Sequence, residues 1–102
     1  MRDLVRELAL DGAAWRTKDD FYADLLPVLG APSWHGRNLD ALNDSLAGGD
    51  INAVNPPFVI SVRGVAEMGA EARSMVDRFA DLIRHLKARG VDVDIIIEGS
   101  SA

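Results

Sequence analysis

Trp34-His35-Gly36-Arg37-Asn38-Leu39-Asp40-Ala41-Leu42-Asn43-Asp44-Ser45-Leu46 holds a loop and most of a helix. Asn38 is suited to the N-cap, where a side-chain oxygen accepts from an amide that the opening turn leaves unpaired. Leu39, Leu42 and Leu46 then make one apolar stripe, so the spacing predicts a short helix from Asn38 to about Leu46. Ala47-Gly48-Gly49 ends it. Asp40 and Asp44, four residues apart, point the same way, opposite the leucines. Two like charges at that spacing cost roughly a few tenths of a kcal/mol. The helix dipole favours Asp40 in the first turn, and Asp44 has a plain reading as a solvated surface residue.

Working outward, Thr17 and Asp20 resemble a capping box with Asp in place of Glu or Gln. Phe21, Leu25, Val28 and Leu29 recur at helical spacing before Gly30, and Pro27 predicts a frayed or tightened last turn. Upstream, Leu4 to Leu10 reads as a first strand closed by the turn dipeptide Asp11-Gly12. Downstream, Asn55-Pro56-Pro57 leads rigidly into Phe58–Val62, a β-rich apolar run that reads as a buried strand. Met68, Ala72, Met75, Val76, Phe79, Leu82, Ile83 and Leu86 predict one long helix. Lys87 and Arg89 stand in its last turn and Gly90 follows. Val91 to Ile97 is the last strand. Strands separated by helical connections imply right-handed parallel crossovers, and hence an α/β class.

The chain has 102 residues, 48% hydrophobic and 26% charged, with no cysteine. Residues 1–102 are expected to form a single domain, without repeats or a linker. Eleven Lys and Arg against sixteen Asp and Glu give a net charge of −5. Such a surface repels phosphate polymers and anionic lipid, so neither nucleic acid nor a membrane is expected as partner. No run approaches a membrane span, and Asp3 and Glu7 interrupt the apolar stretch that a signal peptide needs. The expected location is the cytoplasm. Much of the charge is balanced locally, but between Asn38 and Val62 there is no Lys or Arg.

Several chemistries are open to these residues. A carboxylate pair serves glycoside hydrolysis, but a two-turn helix offers little cleft for it. His35 with Asp40 and Asp44 is a conceivable acid–base or metal site, yet metal-ligand spacing is absent and no metal is expected. His85 falls at the solvent edge of the long helix. Without a phosphate loop, nucleotide fingerprint or nucleophile elbow, an enzyme is not expected and no cofactor is implied. Trp34 is either a core aromatic closing the first helix or an exposed anchor beside two carboxylates, as interfaces favour. Asn43 likewise divides between helix surface and contact. Trp15 reads as core or edge packing.

The core Gly36-x-Asn38-Leu39-Asp40-Ala41-Leu42-x-Asp44-x-Leu46, followed by a small residue and Gly48, resembles the barstar-like family of intracellular ribonuclease inhibitors. Asp11-Gly12, Phe21-Tyr22, Leu25, Pro32 and the run from Gly90 to Ile97 extend the resemblance over most of the chain. It implies a two-layer α/β fold, a three-stranded parallel sheet packed against helices. It also implies that the second helix and preceding loop plug the active site of a small basic ribonuclease or related toxin protein. Asp44 would be the main phosphate mimic, Asp40 its neighbour, Trp34 a contact over the mouth, and Gly36 and Asn38 the shape of the approach. With His35, Arg37 and Asn43 these residues make up the candidate partner-binding set, on a protein that is monomeric when free.

The sequence departs from the family pattern at several contacts. Arg37 replaces an acid, His35 a usual second aromatic, Asn43 a tryptophan, and His85 and Arg89 stand in place of acidic contacts. The acidic patch is thereby diluted. That leaves two further readings open: a regulatory or scaffold domain that binds a non-ribonuclease protein, and a small hydrolase using His35, Asp40 and Asp44.

Overall fold

In the computed structural model, which describes residues 5–48 and 51–98, three strands lie parallel in one sheet. β1 (Arg6–Asp11) is followed by α1 (Lys18–Leu29) and α2 (Leu39–Gly48), then by β2 (Phe58–Arg63), a 3-10 turn (Val65–Glu67), α3 (Ala70–Ala88) and β3 (Val93–Ile97). Leu4 and Gly49, expected in the first strand and after the second helix, lie outside the described residues. The order is β1-β2-β3, so β2 is central. Its position explains its sequence: a strand flanked on both sides has few outward positions, and four of its six residues are buried.

Register lines up one face of the sheet. Phe58 pairs with Val93, Leu8 with Ile60 and Ile60 with Ile95, all buried. Helical residues cover this face: Phe21, Leu25 and Leu29 from α1, Leu42 and Leu46 from α2, and Val76, Phe79, Ile83 and Leu86 from α3. Phe21 is the hub, meeting Trp15 edge-on at 5.5 Å and Phe79 at 5.3 Å between ring centroids. Each such ring contributes about 1.5–3 kcal/mol through burial. The expected α/β architecture is therefore present, in two layers.

The helix ends show why the segments stop where they do. Thr17 Oγ1 accepts from Asp20 N at 3.3 Å, while Asp20 Oδ2 accepts from Thr17 N at 3.2 Å, closing the capping box. Asp20 Oδ2 also accepts from Arg16 N at 2.8 Å. These amides hold its carboxyl below the ordinary carboxylate value. Pro27 stays within α1, whose end is tightened: Gly30 N donates to Pro27 O at 3.0 Å and Ala31 N to Leu26 O at 2.9 Å. Gly30 takes φ 67°, and a β-carbon there would lie 2.5 Å from the Ala53 side chain. Ala53 N and Val54 N in turn donate to Gly30 O and Leu29 O at 3.0 and 2.9 Å. The residues on either side of the segment 31–52 are thus clasped together.

Two boundaries differ from expectation. Met68 is buried but precedes α3, which starts at Ala70 after Gly69; Gly69 N donates to Trp15 O at 2.8 Å and so ties this turn to the first crossover. An apolar residue at helical spacing thus packs on the core from outside the helix. Val91 belongs to the helix end rather than the strand, because its N–H donates to Leu86 O at 3.0 Å. Lys87 Nζ then reaches Asp94 Oδ2 at 2.6 Å, which draws α3 onto β3 and lowers the Asp94 carboxyl below its ordinary value.

Candidate functional site

α2 presents two faces of opposite character. Leu42, Ser45 and Leu46 are buried against the core, with Leu39 half-buried. Asp40 and Asp44 are exposed, and neither carboxylate has an ion pair or hydrogen bond among the described residues. Unpaired carboxylates on a solvated helix face retain their full attraction for a cationic partner. Asn38 caps the helix as expected: its Oδ1 accepts from Ala41 N at 2.7 Å. Asn43 is half-buried beside the carboxylates.

The loop before α2 turns sharply, with His35 N donating to Pro32 O at 2.9 Å. The structure decides between the two readings of Trp34, which is 73% exposed and contributes nothing to the core. At Gly36 the backbone runs close to α2: a β-carbon would come 3.1 Å from Asn38 Nδ2 and 3.2 Å from Ala41 Cβ, so those neighbours would have to give by a few tenths of an ångström. Arg37 is exposed and has no acidic partner among the described residues. Trp34, Gly36, Ala41, Asp44 and Ile51 share the wall of one recess of about 160 Å³. The exposed aromatic and the second carboxylate are therefore neighbours, and His35 and Ser45 line the same recess.

His35 behaves differently from the rest of the set. Its ring is turned inward, 7% exposed. Nδ1 donates to the Gly36 carbonyl at 2.7 Å, since a carbonyl oxygen can only accept, and Nε2 lies 2.9 Å from Ser45 Oγ. Ser45 Oγ also receives Asn52 Nδ2 at 3.1 Å and lies 3.2 Å from Leu42 O. Both ring nitrogens are thus engaged by groups other than Asp40 and Asp44. The ring organises the loop from beneath, and its neighbours Trp34 and Arg37 are the ones presented to solvent. Ser45 and Asn52 were not singled out in the sequence. A buried serine on the leucine side of α2 is the one local trace of this network.

His85 and Arg89 are exposed at the end of α3, where Arg89 forms the helix cap. Neither lines the recess that holds Trp34 and Asp44. Among the described residues, no group of three or more His, Asp or Glu is placed to hold a metal ion. No helix there is long and apolar enough to cross a membrane. Comparison with known protein families matches residues 5–98 to the family model described as Barstar (barnase inhibitor).

Proposed function

The chain belongs to the barstar family, and on that premise we propose that it inhibits a small basic ribonuclease or a related toxin by occupying the enzyme's active site. Asp44 and Asp40 take the place of RNA phosphates among the enzyme's cations, with Asp44 the principal mimic. Trp34 packs over the mouth of the site. Arg37, Asn38 and Asn43 complete the contact, while His35 and Gly36 hold the loop's shape. The observation that carries this reading is the 73% exposed tryptophan that shares one recess with the unneutralised Asp44, with Asp40 exposed one turn earlier on the same helix. Desolvated anchors of this kind, ringed by steering charge, give an interface both strength and speed.

The test is titration against a panel of small basic ribonucleases, comparing the protein with Asp44→Ala. Inhibition is expected, and the variant should bind at least about 2 kcal/mol more weakly, or roughly thirtyfold. Absence of inhibition across the panel, or equal inhibition by Asp44→Ala, defeats the proposal. A second reading is favoured by the unpaired Arg37 within the acidic face: a scaffold role in which that face takes a protein other than a ribonuclease. Cross-linked capture followed by identification separates the two, since the first reading requires a basic nuclease.

A further inference from the structure

We propose that the recess between the first turn of α1, the start of α2 and the middle of α3 is an oxyanion site that takes inorganic phosphate or a phosphate monoester. The recess is about 240 Å³, and Lys18, Arg37 and Arg78 all line it. None of these three side chains has an ion pair or hydrogen bond among the described residues. Cations elsewhere on the molecule do find acids, as in Arg73 with Asp77, Arg84 with Asp81 and Lys87 with Asp94. A protein of net charge −5 thus leaves three unneutralised cations around one depression.

The nearby acids do not cancel them. Asp40 is the one carboxylate in the wall, so the lining carries a formal excess of two positive charges, three cations against one anion. Glu71 borders an adjoining recess of about 340 Å³ that shares Lys18 and Arg78. Its Oε2 accepts from the Lys18 backbone N–H at 2.9 Å, which holds this carboxylate at the opening of α1 and outside the lining of the 240 Å³ recess. Like charges held together repel one another, and a multivalent anion among them relieves that repulsion. The start of α2 at Leu39 and Asp40 also borders the recess and adds the partial positive charge of a helix N-terminus.

Tyr22 supplies an independent observation. Tyr22 forms part of the same wall and of the neighbouring recess beside Pro32 and His35, and its hydroxyl is buried without a hydrogen-bond partner among the described residues. Buried donors are rarely left this way. Two guanidinium groups and an ammonium match the several oxygens of a tetrahedral anion better than a single carboxylate, because each fork takes two oxygens. The chain's overall negative charge works against a long phosphate polymer and leaves a small ligand as the occupant.

The site is tested by following backbone amide shifts of the whole protein during titration with inorganic phosphate, against chloride at equal ionic strength. Saturable shifts are expected at Lys18, Leu39 and Arg78. The double variant Lys18→Ala/Arg78→Ala should weaken binding by about tenfold or more, whereas Arg89→Ala, an exposed cation away from the recess, should not. A parallel titration with a nucleoside monophosphate assigns the source: tighter binding than phosphate identifies an ester, and equal binding the free ion. Shifts no larger than those with chloride, or undiminished in the double variant, overturn the proposal. The recess shares Arg37, Asn38 and Asp40 with the proposed inhibitory face, but the double variant changes only Lys18 and Arg78, which lie outside that face, so the phosphate titration and the ribonuclease titration without phosphate succeed or fail separately.

Discussion

His35 Nε2 stands 2.9 Å from Ser45 Oγ, joining the loop ahead of α2 to the buried side of that helix across ten positions of sequence. The contact fixes where Trp34 and Asp44 stand relative to one another, because each is chain neighbour to one member of the pair. Replacing either side with alanine strips a partner from the other, and Ser45→Ala strips one from Asn52 as well. Ser45→Ala and His35→Ala are each expected to cost about 1–3 kcal/mol. Urea denaturation should show a lower midpoint in both.

Trp34→Ala should separate stability from recognition. An aromatic that is 73% exposed has little packing to lose. The expected change in unfolding free energy is within about 0.5 kcal/mol, while partner affinity falls by about 2 kcal/mol. Thermal melting and calorimetric titration on the same preparation check both halves.

The capping box makes a pH-dependent contribution of known sign. The Asp20 carboxyl is held below its ordinary value of 3.8 by the amides of Arg16 and Thr17. A depressed folded value means that the contribution is complete above 3.8 and is lost as the pH falls through the folded value. The stability gap between the protein and Asp20→Asn should therefore be full at neutral pH and close in acid. Melting curves of the two across that range measure it. Asp94, depressed chiefly by Lys87, should behave in the same direction.

Gly30→Ala is expected to destabilise by about 1–2 kcal/mol from the left-handed backbone alone. The added β-carbon would also sit 2.5 Å from Ala53 Cβ. Ala53→Gly in the same chain should recover the steric part and leave the conformational part, a division that denaturant midpoints of the single and double variants reveal.

Association with a ribonuclease should slow as salt is added, since steering by Asp40 and Asp44 is screened beyond about 8–10 Å at moderate ionic strength. Stopped-flow rates at low and high salt test this. A dissociation rate that changes as much as the association rate would contradict steering as the source.

Local chemistry was the legible part of this protein. Thr17 with Asp20, Asn38 before its leucines, and Gly30 and Gly90 after their helices all act within a few residues, so sequence spacing carries their geometry. Parallel order followed from alternation of strands and helices, and the central strand from its apolar run. Long-range placement was not legible. Nothing in the spacing says that His35 meets Ser45 and Asn52, that Met68 packs from outside α3, or that Lys18 and Arg78 share a recess with Arg37. Whether Trp34 faces inward or outward depends on how α1 ends, because the turn at Pro32 sets the direction of the loop.

The backbone clasp of Leu29 and Gly30 with Val54 and Ala53 has a consequence for how recognition can change in this molecule. It closes a cartridge, residues 31–52, at its neck; Leu42 and Leu46 seat that cartridge on the core, while the His35 network ties its parts to one another. Arg37, Asp40, Asn43 and Asp44 can be exchanged within that cartridge while the sheet stays as it is. A transplanted segment of equal length, with its leucines and glycines retained, would carry its own specificity into this scaffold.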